Sequence, residues 1–320
     1  MEKDLLQKKY LSDDERYADL INGLLFNGKQ QIKASDLKET DSQSFIRLWF
    51  QKKSVRYRKL YRDLIKKTAF GVNFALIGIE NQELVHYLMP LRTMEYDAAE
   101  YEKQVVRIRR RVKNAKGIRK AEFISGFRKS DRLYPCITIV LYYGENWDGP
   151  KSLHDVIDFT DIPGELRKYV NDYPLHIIEV HKLEDTSVFR SDIKQVFNFI
   201  KFSKNKIELK ELINNDPAYQ HMDEDAFDMI AACTNAEELI SVKKYHGKDG
   251  KIDMCQALKE MLADERMIGM KEGIKEGIEA FVLDNLEEGV EQKRIVDKLI
   301  FRFKMDEVEA KDYVNKYIGK

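Results

Sequence analysis

An aspartate at position 63 and a glutamate at position 80, each beside a short apolar segment, are the residues of this chain best suited to chemistry. They lie in YRDLIKKTAFGVNFALIGIENQ, which runs from Tyr61 to Gln82. Asp63 opens the first apolar segment, Gly71 supplies a turn, and Phe74 to Ile79 form a second segment ending in Glu80-Asn81-Gln82. That pattern predicts a β-hairpin. Side chains at i and i+2 share a face of a strand, so Glu80 and Gln82 are expected to point the same way. Asp63, on the paired strand, would converge with Glu80 on one ion. Carboxylate oxygens in that number suit a hard cation such as Mg²⁺, which leaves its other positions to water and substrate phosphate. An ion so held activates water and offsets the charge that develops on a phosphodiester. The spacing by itself favours two carboxylates in salt bridges with neighbouring Lys and Arg over a metal site.

The distribution of charge bears on that choice. The whole chain is balanced, with 55 basic and 55 acidic residues, yet residues 51 to 132 carry 21 Lys or Arg against 9 Asp or Glu. The difference, 21 minus 9, is a local excess of 12 positive charges. From Gln51 to Lys67 there are eight basic residues and a single acid, Asp63; from Lys103 to Lys120 there are nine and no acid. Surfaces of this kind hold polyphosphate partners. Acids for an ion between basic runs for a backbone are the parts a metal-dependent nuclease needs.

The order Asp63, sixteen intervening residues, then Glu80-x-Gln82 at the end of an apolar strand resembles the PD-(D/E)xK nuclease core. More narrowly, the chain resembles the Rpn family of recombination-promoting nucleases, also described as YhgA-like transposases. MPLRTMEYDAAEYEKQ, PCITIVLYYGENWDGPKSLHDV, GMKEGIKEGIEA and the amino-terminal ERYADLINGLLFNGKQQI carry the rest of the likeness. It covers about residues 10 to 200 well and the tail loosely. The resemblance implies a restriction-endonuclease-like α/β fold, a mixed sheet flanked by helices, and Mg²⁺-dependent cleavage of DNA. Asp63, Glu80 and Gln82 would be catalytic, the two acids binding metal. Asp19, on the first helix, would be an additional ligand, with Glu15 competing for that role. The third signature residue is usually Lys; Gln82 offers hydrogen bonds without a charge and reads as a variant of the site.

Arg58, Arg62, Lys66, Arg92, Arg107, Arg110 and Arg111 are the candidates for contact with the DNA backbone. Arg92 and Tyr96, four residues apart, either hold phosphate or order the helix after Pro90. The cluster Arg107, Arg109, Arg110 and Arg111 cannot all face one way on a helix, and nothing in it reads base edges. Tyr142-Tyr143-Gly144 and Trp147-Asp148-Gly149-Pro150 fit a strand core and turn better than a base-stacking platform. Gly269, Gly273 and Gly277 recur every four residues and would line one helix face, permitting close approach between subunits of a homo-oligomer.

The elements that must position these residues are readable in outline. Ser12-Asp13-Asp14 caps a helix to about Phe26, ended by Asn27-Gly28. Tyr96 to Lys113 has a helical period, with Val105, Val106, Ile108 and Val112 as its apolar residues. Pro135 to Tyr143 and Leu175 to Val180 read as strands, and Phe189 to Phe202 as helix; residues 30 to 53 give no clear period. Beyond about residue 205 the pattern is wholly helical, which predicts a nuclease-like domain over 1–205 and a helical region over 206–320 that serves oligomerisation or partner binding. Hydrophobic residues make up 43% of the chain, ordinary globular usage. Cys136, Cys233 and Cys255 are scattered, as expected of reduced cytoplasmic thiols, and no Cys/His spacing suggests zinc. MEKDLLQKKY is charged throughout and no long apolar stretch occurs, so neither a signal peptide nor a membrane partner is expected. Two other classes compete with the nuclease: a DNA-binding, transposase-like protein without cleavage, and a helical oligomeric interaction protein.

Overall fold

The computed structural model describes residues 3–39, 43–49, 55–61, 64–67, 73–78, 85–234, 236, 239 and 251–317, with residues 39–78 described at the level of backbone and register. The chain divides into two compact units, Met1–Cys255 and Gln256–Lys320.

Strands β1 (Lys38–Glu39), β2 (Gln43–Trp49), β3 (Val55–Tyr61), β4 (Leu64–Lys67), β5 (Asn73–Gly78), β6 (Cys136–Tyr142) and β7 (His176–Glu179) lie in the first unit. They form a five-stranded sheet of order β1-β4-β5-β6-β7 and a separate β2-β3 hairpin. β4 and β5 are antiparallel, with Leu64 opposite Leu76 and Lys67 opposite Asn73. This is the hairpin expected from the Asp63–Gln82 stretch. β5, β6 and β7 run parallel to one another. Parallel neighbours need a long crossover, supplied between β5 and β6 by helix α3 (Met89–Lys113). A mixed sheet flanked by helices is therefore observed.

The sequence of β6, CITIVLY, explains its central place. β-Branched and apolar residues at every position suit a strand covered on both faces. Val140 and Tyr142 pack with Met89, Tyr96, Ala99 and Trp147, while Ile139 and Leu141, at the alternate positions, are also fully buried. Tyr142 and Trp147 meet edge to face at 5.3 Å. These rings belong to the core, as strand-and-turn residues should.

Helix α3 departs from the simple stripe expected of it. Its buried residues include Thr93, Asp97, Glu100 and Gln104 together with Ile108 and Val112, and Val106 is exposed. The polar members recur at helical spacing on the inward face. Asp97 accepts a hydrogen bond from Thr138 Oγ1 at 2.6 Å and another from the Tyr173 hydroxyl. Burial and the Asp97 carboxylate both push the Tyr173 hydroxyl far above its ordinary value. A carboxylate thus joins α3 to β6 and to the segment leading into β7.

Helices α1 (Lys3–Ser12) and α2 (Asp14–Phe26) precede the sheet. Asp13 caps α2 by accepting from the backbone N–H groups of Glu15 and Arg16, and Asn27, at φ 50°, ends it in the left-handed conformation that Asn tolerates. Asn22 is fully buried, donates to Ile32 O and accepts from the N–H groups of Gln31 and Ile32, pinning the exit from the helix.

Beyond residue 190 come α5 (Ile193–Phe202), α6 (Lys206–Asn215) and α7 (Glu224–Thr234), α4 being the short helix Lys120–Ser125. α7 packs on α1 and α5 on α2. Arg16 grips Asp192 with two bonds of 2.8 Å and reaches Asp223 at 3.1 Å. The division of the chain consequently falls at 255 rather than near 205. The composition shift at 205 marks the end of strands, but the next helices still bury their apolar faces within the first unit. In the second unit, Ile278, Val282, Ile295, Leu299, Ala310 and Val314 form a core between the end of helix Met254–Glu287 and helices Gln292–Phe303 and Glu307–Tyr317.

Candidate functional site

Register brings the carboxyl ends of three strands to one end of the five-stranded sheet. Because β5, β6 and β7 are parallel, their carboxyl ends share that edge: Gly78 lies opposite Leu141, and Tyr142 opposite Glu179. β4 runs the other way, so its first residue, Leu64, lies at the same end of the hairpin. In open α/β sheets, ligands bind beyond the carboxyl ends of the parallel strands.

Asp63, Glu80, Gln82 and Arg62 lie outside the described residues. Their described neighbours in the chain are Leu64 at the start of β4, Gly78 at the end of β5 and Tyr61 at the end of β3. Arg58 lies in β3 opposite Ile46. Lys66 lies in β4, paired with Phe74 on one side and Glu39 on the other.

Glu179, at this same edge, was not singled out by its sequence; its signal is an acid closing an apolar strand. It accepts from the Trp147 N–H at 2.8 Å and from Lys182 Nζ at 2.6 Å. Burial pushes its carboxyl up, but the Lys182 ammonium and the Trp147 N–H outweigh that and hold it below its ordinary value of 4.5. The contact stabilises the fold above that ordinary value, and its contribution fades as pH falls through the lowered one. Glu179→Gln should accordingly shrink the difference in urea midpoint between neutral and acidic buffer.

Asp19 has a different occupation. It is 5% exposed on α2, and its carboxylate accepts from Arg190 N, Ser191 N and Ser191 Oγ at 2.7 to 3.0 Å. Both oxygens are committed to the segment that leads into α5, so a metal ion would have to displace these bonds.

Arg92 donates to the Tyr96 hydroxyl at 2.9 Å, four residues along α3, so it orders the helix. The arginine cluster is sorted by its surroundings. Arg109 pairs with Glu102 at 3.1 Å, and its stem lies against Gly126, where an added Cβ would come within 2.6 Å of Arg109 Cγ. Arg107, Arg110 and Arg111 are exposed and fall within an arc of about 100° at helical spacing. Among the described residues none of the three has an acidic partner in an ion pair. The last two also sit in the final turn of α3, where cations complement the helix dipole.

Among the described residues no group of three or more His, Cys, Asp or Glu side chains is arranged to hold a metal ion, and no helix is long and apolar enough to cross a membrane. No protein-family model, curated protein or solved structure matches the chain.

Proposed function

We propose that this chain is a Mg²⁺-dependent DNA endonuclease of the PD-(D/E)xK type, related to the recombination-promoting nucleases it resembles. The observation that carries this reading is the register of the β4–β5 hairpin. Consecutive Cα atoms are about 3.8 Å apart. Asp63 is bonded to Leu64 and Glu80 follows Gly78 by two residues. The described ends of the chain on either side of the two acids, Leu64 and Gly78, lie towards the end of the sheet where β5, β6 and β7 finish. A mixed sheet with a helical crossover from β5 to β6 is also what the resemblance requires.

The donor set of Asp63 and Glu80 is two carboxylates, oxygen ligands that suit Mg²⁺. When bound, Mg²⁺ supplies charge to polarise the scissile phosphate and lowers the pKa of water at the site. The protein's own part is positioning. Asp63 and Glu80 would hold the ion, the Gln82 amide would accept from the attacking water and donate to a phosphate oxygen, and Arg58 of β3, Lys66 of β4 and Arg62, between these strands in sequence, would hold the backbone. Arg107, Arg110 and Arg111 would form a second cationic stretch on the last turns of α3, beyond Gln104, which bonds Tyr134 just before β6.

The interaction with DNA has its own test. Removing one cation that neutralises a phosphate should flatten the dependence of log K on log salt by about 0.9. Replacing Arg107, Arg110 and Arg111 by Ala should flatten it by about 2 to 3, whereas Arg109→Ala should leave the slope in place. A plasmid-nicking assay tests cleavage directly. Products that require Mg²⁺ support the reading; salt-dependent binding without any product would leave a DNA-binding protein.

A further inference from the structure

Between α3 and β6 the chain makes an excursion, residues 114–135, that carries the short helix α4. Two adjacent apolar side chains on α4 stand in water: Phe123 is 69% exposed and Ile124 is 75% exposed. The backbone beneath them is held in place. Glu122 accepts from Arg119 N at 3.2 Å and from Lys129 N at 3.0 Å, closing the excursion across the helix. Ser125 Oγ donates to the Ala121 carbonyl at 2.9 Å. Gly126, at φ 67°, ends α4 in the left-handed conformation, its N–H on the Glu122 carbonyl. The same glycine backs onto the Arg109 stem, which anchors α4 on α3. Apolar side chains presented on a pre-ordered backbone suit a partner rather than the core.

Charge names that partner. From Lys113 to Arg132 there are seven Lys or Arg and two acids, Glu122 and Asp131. Both acids are engaged by backbone N–H groups of the excursion, Asp131 accepting from Arg128 N at 2.8 Å. Among the described residues no ion pair joins any of these cations to an acid. Lys116, Arg119, Lys120, Lys129 and Arg132 are exposed. Cations on either side of an apolar pair fit a polyanion with an apolar interior. Duplex DNA is one: its phosphates take the cations, and an apolar wedge pushed between base steps of the minor groove unstacks them and bends the duplex. An anionic bilayer is held by longer amphipathic helices, and α4 has six residues.

Resting on DNA as the partner in the reading above, we propose that Phe123 and Ile124 form a wedge that enters the minor groove of duplex DNA and bends it. Arg119, Lys120 and Lys129 hold the phosphates beside the wedge.

Energy transfer between dyes on the two ends of a duplex of about 30 base pairs tests this, with chelator present so that no strand is cut. The wild type should raise the transfer. Phe123→Ala with Ile124→Ala should leave the duplex straight and weaken binding by about tenfold, with the salt slope unchanged. Both side chains are exposed, so circular dichroism and the urea midpoint should not move. Replacing Arg119, Lys120 and Lys129 by Ala should instead flatten the salt slope by about 2 to 3. A central mismatch lowers the cost of unstacking and should tighten binding by the wild type more than by the Phe123/Ile124 variant. Equal bending by wild type and that variant, or salt-dependent binding with no bending, would overturn the wedge. So would binding to phosphatidylserine vesicles that needs Phe123 and Ile124 while duplex binding does not. Bending that needs both residues, in a protein that nicks no plasmid in Mg²⁺, would sustain the wedge and remove the nuclease reading; nicking without bending would do the reverse. No binding at low salt would overturn both.

Discussion

Asp63→Ala and Glu80→Ala are each expected to slow Mg²⁺-dependent DNA nicking by roughly a thousandfold, the consequence of losing about 4 kcal/mol of charge stabilisation at the phosphate. DNA affinity should change little, because backbone binding rests on Lys and Arg rather than on the two acids. Removing a carboxylate from a basic neighbourhood should, if anything, tighten binding at low salt. Gln82→Ala belongs in the same series. It should slow nicking less than either acid variant, since an amide contributes hydrogen bonds but no charge. Nicking rates in Mg²⁺ and affinity by fluorescence anisotropy separate the two properties. Equal loss of both in the acid variants would assign Asp63 and Glu80 to salt bridges that support the fold.

The second large effect concerns stability. Asp19→Ala removes the acceptor for two backbone N–H groups and one hydroxyl in segment 190–191. Hydrogen bonds to a charged group contribute about 1.5–3 kcal/mol each, and bonds that share one carboxylate do not add fully. A loss of about 3–5 kcal/mol is expected, read as a lower urea midpoint. Asp19→Asn keeps a carbonyl acceptor and should lose less. Below its unfolding transition, Asp19→Asn should nick DNA with the same Mg²⁺ dependence as the wild type. Unchanged stability with abolished nicking would instead make Asp19 a metal ligand.

The structure accounts for which parts of the chain could be read in advance. β6 and the β4–β5 hairpin were legible because apolar and β-branched residues are bounded by turn residues, a purely local signal. α2 was legible through Asp13 and Asn27-Gly28, which act on the nearest backbone groups. The β2–β3 hairpin was not. Phe45, Ile46, Leu48 and Trp49 occupy both parities of β2, which erases the period-2 signal, and Arg56, Arg58 and Lys59 made β3 read as a charge run.

Long-range pairing lay beyond sequence reading for a different reason. The partners of Asp19 are 171 and 172 residues away, and Arg16 meets Asp192 across 176. Nothing local to a carboxylate on a helix separates a metal ligand from the anchor of a distant segment. α3 carries the same lesson: Asp97 and Glu100 lie on its inward face, where an apolar stripe would be expected. The sheet edge, by contrast, followed from the hairpin once its register was known.

The proposal that the β4–β5 edge cuts DNA is tested most directly by incubating supercoiled plasmid with purified wild-type chain in Mg²⁺. The same reaction is run with excess chelator and with an Asp63→Ala/Glu80→Ala double variant. Open-circle product in the first reaction and in neither of the others is the predicted result. Intact plasmid in every divalent metal tried, or equal product from wild type and double variant, would contradict it.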